Sequence, residues 1–188
     1  MSIQQFGRRF VFLQAGLLNI NSLDSLLKNV SLANSSQNAV FQLVSLSPLV
    51  SQRQVLAAIE QACFAIGSKT AISNRLEFEL LLRLAGRRQI KESLELLSLK
   101  EGKEREAVLI GIGSGKKQLE KEAQNLGRAL GLRPQNGLFE KNFQKNKPLI
   151  LSAYGISANQ IRSFEHWKEK DAVESLVLEK MALVALEE

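Results

Sequence analysis

The chain has few of the residues from which enzymes build reactive or metal-binding centres. Among its 188 residues there is one cysteine and one histidine. The lone cysteine, Cys63, cannot form an internal disulfide, and His166 adds only one further candidate ligand for zinc. His166 stands between Glu165 and Trp167 in a charged stretch that is typical of a surface, and no Ser-His-Asp triad or Cys-His pair can be assembled. We therefore predict no catalytic residue, no metal and no cofactor.

The chain also has few prolines, which are typical of linkers between domains, and no long apolar run of the kind that crosses a membrane. With three prolines, no low-complexity tract and no internal repeat, nothing marks a linker, so we predict one domain over residues 1–188. The run from Phe10 to Leu18 has about half the length that a bilayer requires. Arg8 and Arg9 precede it as in a signal peptide, but no small-residue cleavage site follows. We expect no targeting signal, no membrane contact and a cytoplasmic location.

Charge is distributed unevenly along the chain. The sequence carries 25 basic and 19 acidic residues, a net charge of +6. Residues 69–91 have six basic and two acidic groups, residues 116–147 have eight and three, and residues 165–188 have three and seven. A basic body with an acidic end predicts a polyanionic partner at one surface and a different partner at the other. The alternative is surface charge that is uneven without a partner.

Apolar periodicity predicts a chain of mixed strands and helices. Strands are predicted at Arg9–Leu13, Ala39–Leu46 and Ala107–Gly113. The last of them is apolar throughout, which indicates burial on both faces, with helices above and below. Helices are predicted after Ser51, from Asn74 to Ala85, from Arg88 to Leu97, from Lys116 to Leu130, after Ser157 and from Val173 to Leu186.

Capping signals and apolar stripes define several of these helices. Three pairs have the spacing of a capping box: Ser51 with Gln54, Asn74 with Glu77, and Ser157 with Gln160. Cys63 belongs to an apolar stripe and is predicted to pack rather than to react. The Asn74–Ala85 helix is predicted to lie deep in the core, with Gly86 as its left-handed C-cap. The helix that follows is predicted to bury Ile90, Leu94 and Leu97.

A glycine-rich turn, Gly111-Ile112-Gly113-Ser114-Gly115-Lys116, joins the buried strand to a helix. A P-loop requires glycine and Ser or Thr where this chain has Ile110 and Lys117, and a dinucleotide fingerprint requires glycine in place of Lys116. Backbone N–H groups at the helix start, together with Lys116 and Lys117, could still bind an anion, which is one interpretation of this turn. A plain strand-to-helix turn is the other interpretation.

The segment Gly86-Arg87-Arg88-Gln89-Ile90 is more informative. The first turn of a helix favours acids, yet the helix predicted here begins with two arginines. Arginines beside free N–H groups form a phosphate cradle, and their planar forks also stack on unpaired bases. Solvated arginines at a helix corner are the alternative.

The terminal helix is unusually apolar, since nine of eleven residues from Leu176 to Leu186 are apolar. Such a helix buries more than one face. The second face is covered either within this chain or by a protein partner.

Several segments together resemble one family, the small KEOPS subunit related to the PRPK-binding protein (TPRKB-like). They are VLAAIEQACFAI, a short linker with Lys69, LEFELLLRLAGRRQIKESLELL, EGKEREAVLIGIG and VESLVLEKMALVAL. The resemblance covers residues 38–188, and residues 1–37 match less clearly. The most specific pieces are the apolar helix leading into Gly86–Ile90 and the closing VLEKMAL, whereas the Gly113–Lys117 turn has no place in the family pattern.

The resemblance implies an α/β (α+β) fold, a single domain in which a mixed, partly antiparallel sheet is wrapped by several helices. It also implies a non-catalytic subunit of the machinery that makes threonylcarbamoyladenosine beside the tRNA anticodon. Members bind the kinase-like ATPase subunit of KEOPS, assist the threonylcarbamoyl transferase subunit indirectly and, in archaea, bind the single-stranded 3′ CCA end of tRNA. We expect an archaeal member.

Carried over by position, the resemblance places CCA contacts on Lys69, Arg88, Gln89 and Ile90, with Arg87 supporting them. For the kinase-subunit interface we select one stripe of the terminal helix: Leu176, Lys180, Leu183 and Val184. Two alternatives remain. One is a protein-only allosteric activator of the kinase subunit without its own tRNA binding, and the other is an enzyme with a nucleotide site in the Gly111–Lys117 turn.

Overall fold

The computed structural model describes residues 2–35 and 39–184, which form five strands and eight helices. In chain order these are β1 (Ser2–Phe6), β2 (Arg9–Ile20), α1 (Leu23–Asn34), β3 (Ala39–Ser45), α2 (Gln52–Ser68), α3 (Leu76–Ala85), α4 (Ile90–Leu97), β4 (Gly102–Gly113), α5 (Lys116–Ala129), β5 (Arg133–Pro134), α6 (Leu138–Tyr154), α7 (Ala158–Arg162) and α8 (Glu169–Leu183). Strands and helices together confirm the predicted α/β (α+β) class. Within the described ranges no helix is long and apolar enough to cross a bilayer.

The chain divides into two compact units. The described residues within Met1–Leu46 and Ser98–Leu138 form the sheet unit, and those within Ser47–Leu97 and Phe139–Glu188 form the helical unit. A single domain over residues 1–188 therefore stays a prediction. All five residues proposed for the CCA end, and all four proposed for the kinase subunit, belong to the helical unit.

The sheet unit is built on one sheet with the strand order β1-β2-β4-β3, and β5 pairs with β2. Its described pairings are all antiparallel, rather than antiparallel only in part. Strands β2 and β4 are each 12 residues long and extend well beyond the predicted Arg9–Leu13 and Ala107–Gly113. The sequence underestimates them because polar residues such as Gln14 and Arg105 interrupt the apolar pattern without interrupting the pairing.

Helices α1 and α5 pack with the sheet around one core. It contains Phe12, Leu26, Phe41, Leu109, Leu119, Ala123 and Leu126. Strand β4 is buried from Ala107 to Gly113, as its apolar run predicted. At Gly111 a Cβ atom would come within 2.8 Å of the Phe41 ring and 3.1 Å of a Leu119 methyl group. Glycine at this position lets those two side chains pack directly on the strand.

In the helical unit, α2 and α3 form an antiparallel pair. Gln54 in the first turn of α2 donates from Nε2 to the carbonyl oxygen of Leu84, in the last turn of α3, at 3.2 Å. Helix α3 is buried at every position from Glu79 to Ala85, which confirms that it lies deep in the core. Its two buried charges compensate each other: Arg83 Nη2 lies 2.7 Å from Glu79 Oε1.

Two of the three predicted helix caps are confirmed. Ser51 Oγ accepts the Gln54 N–H at 3.2 Å and begins α2. Ser157 and Gln160 form a reciprocal capping box at the start of α7. Cys63, on the stripe of α2, is half-buried.

The third predicted cap, Asn74 with Glu77, is wrong. The N-cap of α3 is Arg75, which makes no capping hydrogen bond through its side chain. Glu77 pairs with the Arg75 guanidinium. The carboxylate of Glu79 accepts the Ser73 N–H at 2.9 Å, so a residue deeper in the helix fixes the chain that enters it.

The predicted bounds and stripe of α4 also need correction. The helix begins at Ile90 rather than at Arg88, so the two arginines precede its first turn. Ile90 is 37% exposed and Leu94 is 42% exposed, and of the predicted stripe only Leu97 is buried. The reason is that this eight-residue helix packs through Ser93 and Leu97, on one narrow side.

Candidate functional site

The segment between α3 and α4 holds three of the predicted site residues and is shaped by Gly86. Gly86 has φ +62° and ψ +41°, the left-handed conformation that was predicted for this C-cap. Its N–H donates to the carbonyl oxygen of Arg83 at 3.1 Å, and the N–H of Arg87 donates to that of Leu82 at 3.0 Å. These bonds end α3 and turn the chain out of the core.

Arg87 is held by the protein itself. Its Nη2 donates to the carbonyl oxygen of Ala153 at 2.5 Å, and its Nε lies 4.0 Å from the Glu92 carboxylate. Ala153 belongs to the last turn of α6, where free carbonyl groups favour a cation. Arg87 therefore fastens the segment to α6 and α4, a position that suits support rather than direct ligand contact.

Arg88, Gln89 and Ile90 follow as three consecutive exposed residues. Arg88 Nη1 donates to the carbonyl oxygen of Val184 at 3.1 Å, which uses one of the five donors of the guanidinium. The carbonyl oxygen of Gln89 accepts both the N–H and the hydroxyl of Ser93 at 3.1 Å and begins α4. The structure thus brings an arginine fork, an amide and an apolar side chain side by side at the surface.

A buried hydrogen-bond network lies under this segment. The Tyr154 hydroxyl donates to the carbonyl oxygen of Leu84 at 3.1 Å and accepts from Gln54 Nε2 at 2.5 Å. The other atom of that amide, Oε1, accepts the Val50 N–H at 2.8 Å. Burial raises the pKa of the Tyr154 phenol, while the Gln54 hydrogen bond and the charge of Arg87 offset part of the rise. The phenol is therefore neutral and acts as a fixed donor to the end of α3.

Lys69 lies at the other end of α3. It is exposed and forms the C-cap of α2, with φ +60° and ψ +29°. Gln54 lies level with Leu84 at the end of α3, and Lys69 follows Gln54 along α2 by 15 residues, so roughly 22 Å separate Lys69 from the Arg87–Ile90 segment. The predicted CCA residues are therefore placed in two groups rather than in one cluster.

The predicted kinase stripe is partly buried. Leu176 and Val184 lie inside the helical unit, whereas Lys180 and Leu183 are exposed, Leu183 by 38%. Helix α8 begins at Glu169 and ends at Leu183, where the sequence predicted Val173–Leu186. Leu186 lies outside the described residues. On the described part of the helix, Lys180 and Leu183 are the members of the stripe that face solvent.

The glycine-rich turn has the geometry of an ordinary connection. Gly111 lies inside β4, where packing against Phe41 and Leu119 requires it. Gly115 is the N-cap of α5 and makes no side-chain cap. Lys116 is the first residue of α5 and is exposed. At least one glycine of the motif therefore has a structural explanation that needs no ligand.

Three supporting residues were not found from the sequence. Glu79 has the spacing to Arg83 of a helical ion pair, a signal that the sequence predictions did not use. Gln54 was interpreted as a capping residue alone. Tyr154, the only tyrosine of the chain, had no signal, because its partner Leu84 contributes a backbone carbonyl group that no sequence pattern reveals.

Comparison with known proteins identifies a relationship over most of the chain. The family model described as "Kinase binding protein CGI-121" matches residues 18–185, a range that contains every residue of the candidate site. A search of curated proteins gave no match. In the described ranges, no group of three or more His, Cys, Asp or Glu side chains is placed to hold a metal ion.

Proposed function

Because this chain belongs to the CGI-121 family of kinase-binding proteins, we propose that it is the small, non-catalytic subunit of a KEOPS complex. In this role it binds the kinase-like ATPase subunit and the 3′ CCA end of tRNA. It recruits tRNA for threonylcarbamoyladenosine modification beside the anticodon, which the transferase subunit carries out without contacting this chain directly. It works in the cytoplasm without a cofactor.

The observation that carries the tRNA part is the exposed run of Arg88, Gln89 and Ile90 on a segment fixed from below. The arginine fork binds a phosphate or stacks on a base, and the amide hydrogen-bonds a base edge. The isoleucine contacts the face of a base that has left the stack. A segment held by Arg87 and by the Tyr154 network presents these groups with little loss of conformational entropy on binding.

The distance between the two groups of residues requires an extended single-stranded tail. Stacked nucleotides rise about 3.4 Å each, so four of them cover roughly 10–14 Å, and splayed nucleotides cover more. Lys69 lies roughly 22 Å from the Arg88 segment, further than four stacked nucleotides reach, so the tail between them is splayed. We therefore assign Lys69 to a phosphate upstream of the terminal bases, which lie on Arg88, Gln89 and Ile90.

The kinase part rests on family membership and on the exposed end of α8. Lys180 and Leu183 form the accessible part of the proposed interface, while the buried Leu176 and Val184 support it from within. Arg88 donates to the carbonyl oxygen of Val184 at 3.1 Å, so the two proposed surfaces adjoin. A tRNA tail bound here would therefore lie next to the kinase-like subunit.

The test is a binding titration of a full-length tRNA transcript and of the same transcript without its CCA, at two salt concentrations. We expect tighter binding of the complete transcript and a steep loss of affinity with salt. Arg88→Glu should abolish the preference for CCA. The exposed Arg162, in α7 of the same unit, provides the matched charge reversal Arg162→Glu, which should keep the preference.

The outcomes separate the candidate functions. Equal binding of both transcripts would indicate a generic basic surface. No binding to either, together with intact capture of the kinase subunit, would favour the protein-only activator. Circular dichroism of Arg88→Glu is needed as a control, because the substitution removes a donor from the end of α8 and places an acid beside its carbonyl groups.

A further inference from the structure

Helix α4 exposes an apolar strip next to the proposed tail site. The α4 strip consists of Ile90, 37% exposed, and Leu94, 42% exposed. The two residues are four positions apart, so their side chains lie on the same face with Cβ atoms about 5–6 Å apart. Leu94 has no part in the function proposed above.

The charges around the strip are arranged asymmetrically. Residues of a helix follow one another at about 100° around its axis. The exposed Lys91 therefore borders the strip on the side that faces solvent, and the buried Ser93 and Leu97 border it on the side that faces the protein. Glu92 and Glu95 lie further round the helix, beyond Lys91. The exposed Arg88 precedes the strip along the chain. Arg88 and Lys91 are thus the charged residues next to the strip, while Glu95 lies about 40° beyond Lys91 and Glu92 lies on the opposite side of the helix.

We propose that the α4 strip is a platform for two successive unpaired bases of the RNA tail, and that Lys91 contacts the phosphate between them. The proposal rests on the proposed function and extends its site from Ile90 to Leu94 and Lys91. Base faces are apolar enough to cover aliphatic side chains, and the adjoining phosphates match the two flanking cations.

The size of the strip argues for nucleotides rather than for a protein. A stable protein interface of ordinary size takes roughly 20–30 residues from each partner. The α4 strip has two apolar residues, and charged residues follow directly on its outer side. Two bases with their phosphates match an apolar patch that has two cations, Arg88 and Lys91, next to it.

The experiment is a titration of a synthetic RNA tetranucleotide that ends in CCA, followed by the same RNA shortened by one and by two 3′ nucleotides. For the full tetranucleotide, Leu94→Ala should lower affinity about fivefold, because contact with half-exposed apolar surface is lost. Leu94→Phe should retain or raise affinity, since an aromatic ring stacks on a base. Lys91→Gln should reduce the salt slope by about one.

The shortened RNAs show whether the loss is local. The difference in RNA affinity between wild type and Leu94→Ala should disappear for one of the shortened RNAs, namely the one that lacks the base covering Leu94. Leu27→Ala provides the control, because Leu27 is an exposed leucine of α1 in the sheet unit, and it should leave affinity unchanged. Leu94 is half-exposed, so we expect the variant to fold, which circular dichroism checks.

Each contrary outcome has its own meaning. If the wild type binds the tetranucleotide, Arg88→Glu does not, and Leu94→Ala binds as the wild type does, the platform is refuted and the proposed function stands. If Leu94→Ala weakens capture of the kinase subunit and leaves RNA affinity unchanged, the strip belongs to a protein interface and the platform is refuted. If the wild type fails to bind any CCA-ended RNA, the proposed function and the platform both fail.

Discussion

The two ends of α3 carry the two groups of proposed tRNA contacts, and they are held in different ways. At the N-terminal end, one buried carboxylate, Glu79, accepts the Ser73 N–H of the linker and is itself neutralised by Arg83. At the C-terminal end, the donors are side chains and the acceptors are backbone carbonyl groups. There Tyr154 donates to Leu84, Arg87 donates to Ala153, and Arg88 donates to Val184.

This difference has a consequence for how each end tolerates change. The linker at the N-terminal end also makes exposed contacts, such as Ser68 with Thr70, but its buried anchor is one charged pair, so a single substitution such as Glu79→Ala removes both the charge balance and the hydrogen bond to Ser73. The C-terminal segment depends on several hydrogen bonds to different elements, so the loss of one leaves the others. We therefore expect the Lys69 end to be the more fragile and the Arg88 end to be the more robust.

The largest expected effect comes from Glu79→Gln. The substitution leaves the Arg83 guanidinium buried without its counter-ion, and removing one partner of a buried pair costs about 3–5 kcal/mol. Chemical denaturation measures this loss. Glu104→Gln is the control, since Glu104 and its partner Arg133 are both largely exposed, and it should cost less than about 1 kcal/mol. Equal losses in the two variants would contradict the dependence on Glu79.

The opposite end is tested by Tyr154→Phe. It removes a donor to the carbonyl oxygen of Leu84, but Gln54 Nε2 still donates to the same oxygen, so we expect a loss of about 1–2 kcal/mol. Binding of CCA-ended RNA should weaken only slightly. If the variant lost the preference for CCA altogether, the robustness of this end would be disproved.

The stability difference between wild type and Tyr154→Phe should also depend on pH, because Tyr154 ionises. Burial raises the pKa of Tyr154 above the unfolded value of about 10, so the native state keeps the proton longer than the unfolded state does. The contribution of the protonated Tyr154 phenol to the free energy of unfolding is fully present below about pH 10, and it falls as pH rises towards the native pKa. The unfolding free energy of the wild type minus that of Tyr154→Phe should therefore shrink above about pH 10. Taking this difference removes the contribution of the lysines, which titrate in both proteins.

These predictions use residues that the sequence revealed only in part. Periodicity and capping patterns predicted α2, the burial of α3 and the Gly86 C-cap, because those features depend on neighbours close in the chain. The network under the Arg88 segment joins Gln54, Leu84 and Tyr154, which are 30 to 100 residues apart, and no local pattern carries such contacts. The exposure of Ile90 and Leu94 was mispredicted for a related reason: an apolar stripe shows that a helix has an apolar side but not whether the fold covers it.

The smallest expected effect concerns the backbone of Lys69. Its φ of +60° lies in the left-handed region, which costs a residue with a side chain about 1 kcal/mol more than it costs glycine. Lys69→Gly should therefore leave the unfolding free energy unchanged or raise it by up to about 1 kcal/mol. If Lys69 binds a phosphate, the same variant should bind CCA-ended tRNA a few-fold more weakly, with a smaller salt slope.

Opposite signs for stability and binding are the signature of a residue kept at a strained position for its ligand. Lys69→Asn is the matched control, because asparagine tolerates the left-handed conformation and also lacks the charge. It should lose the same affinity with little gain in stability. If Lys69→Gly binds tRNA as the wild type does, the N-terminal end of α3 has no part in the site. The tail is then held by the Arg88 segment alone, and the fragility of the Lys69 end affects folding without affecting recognition.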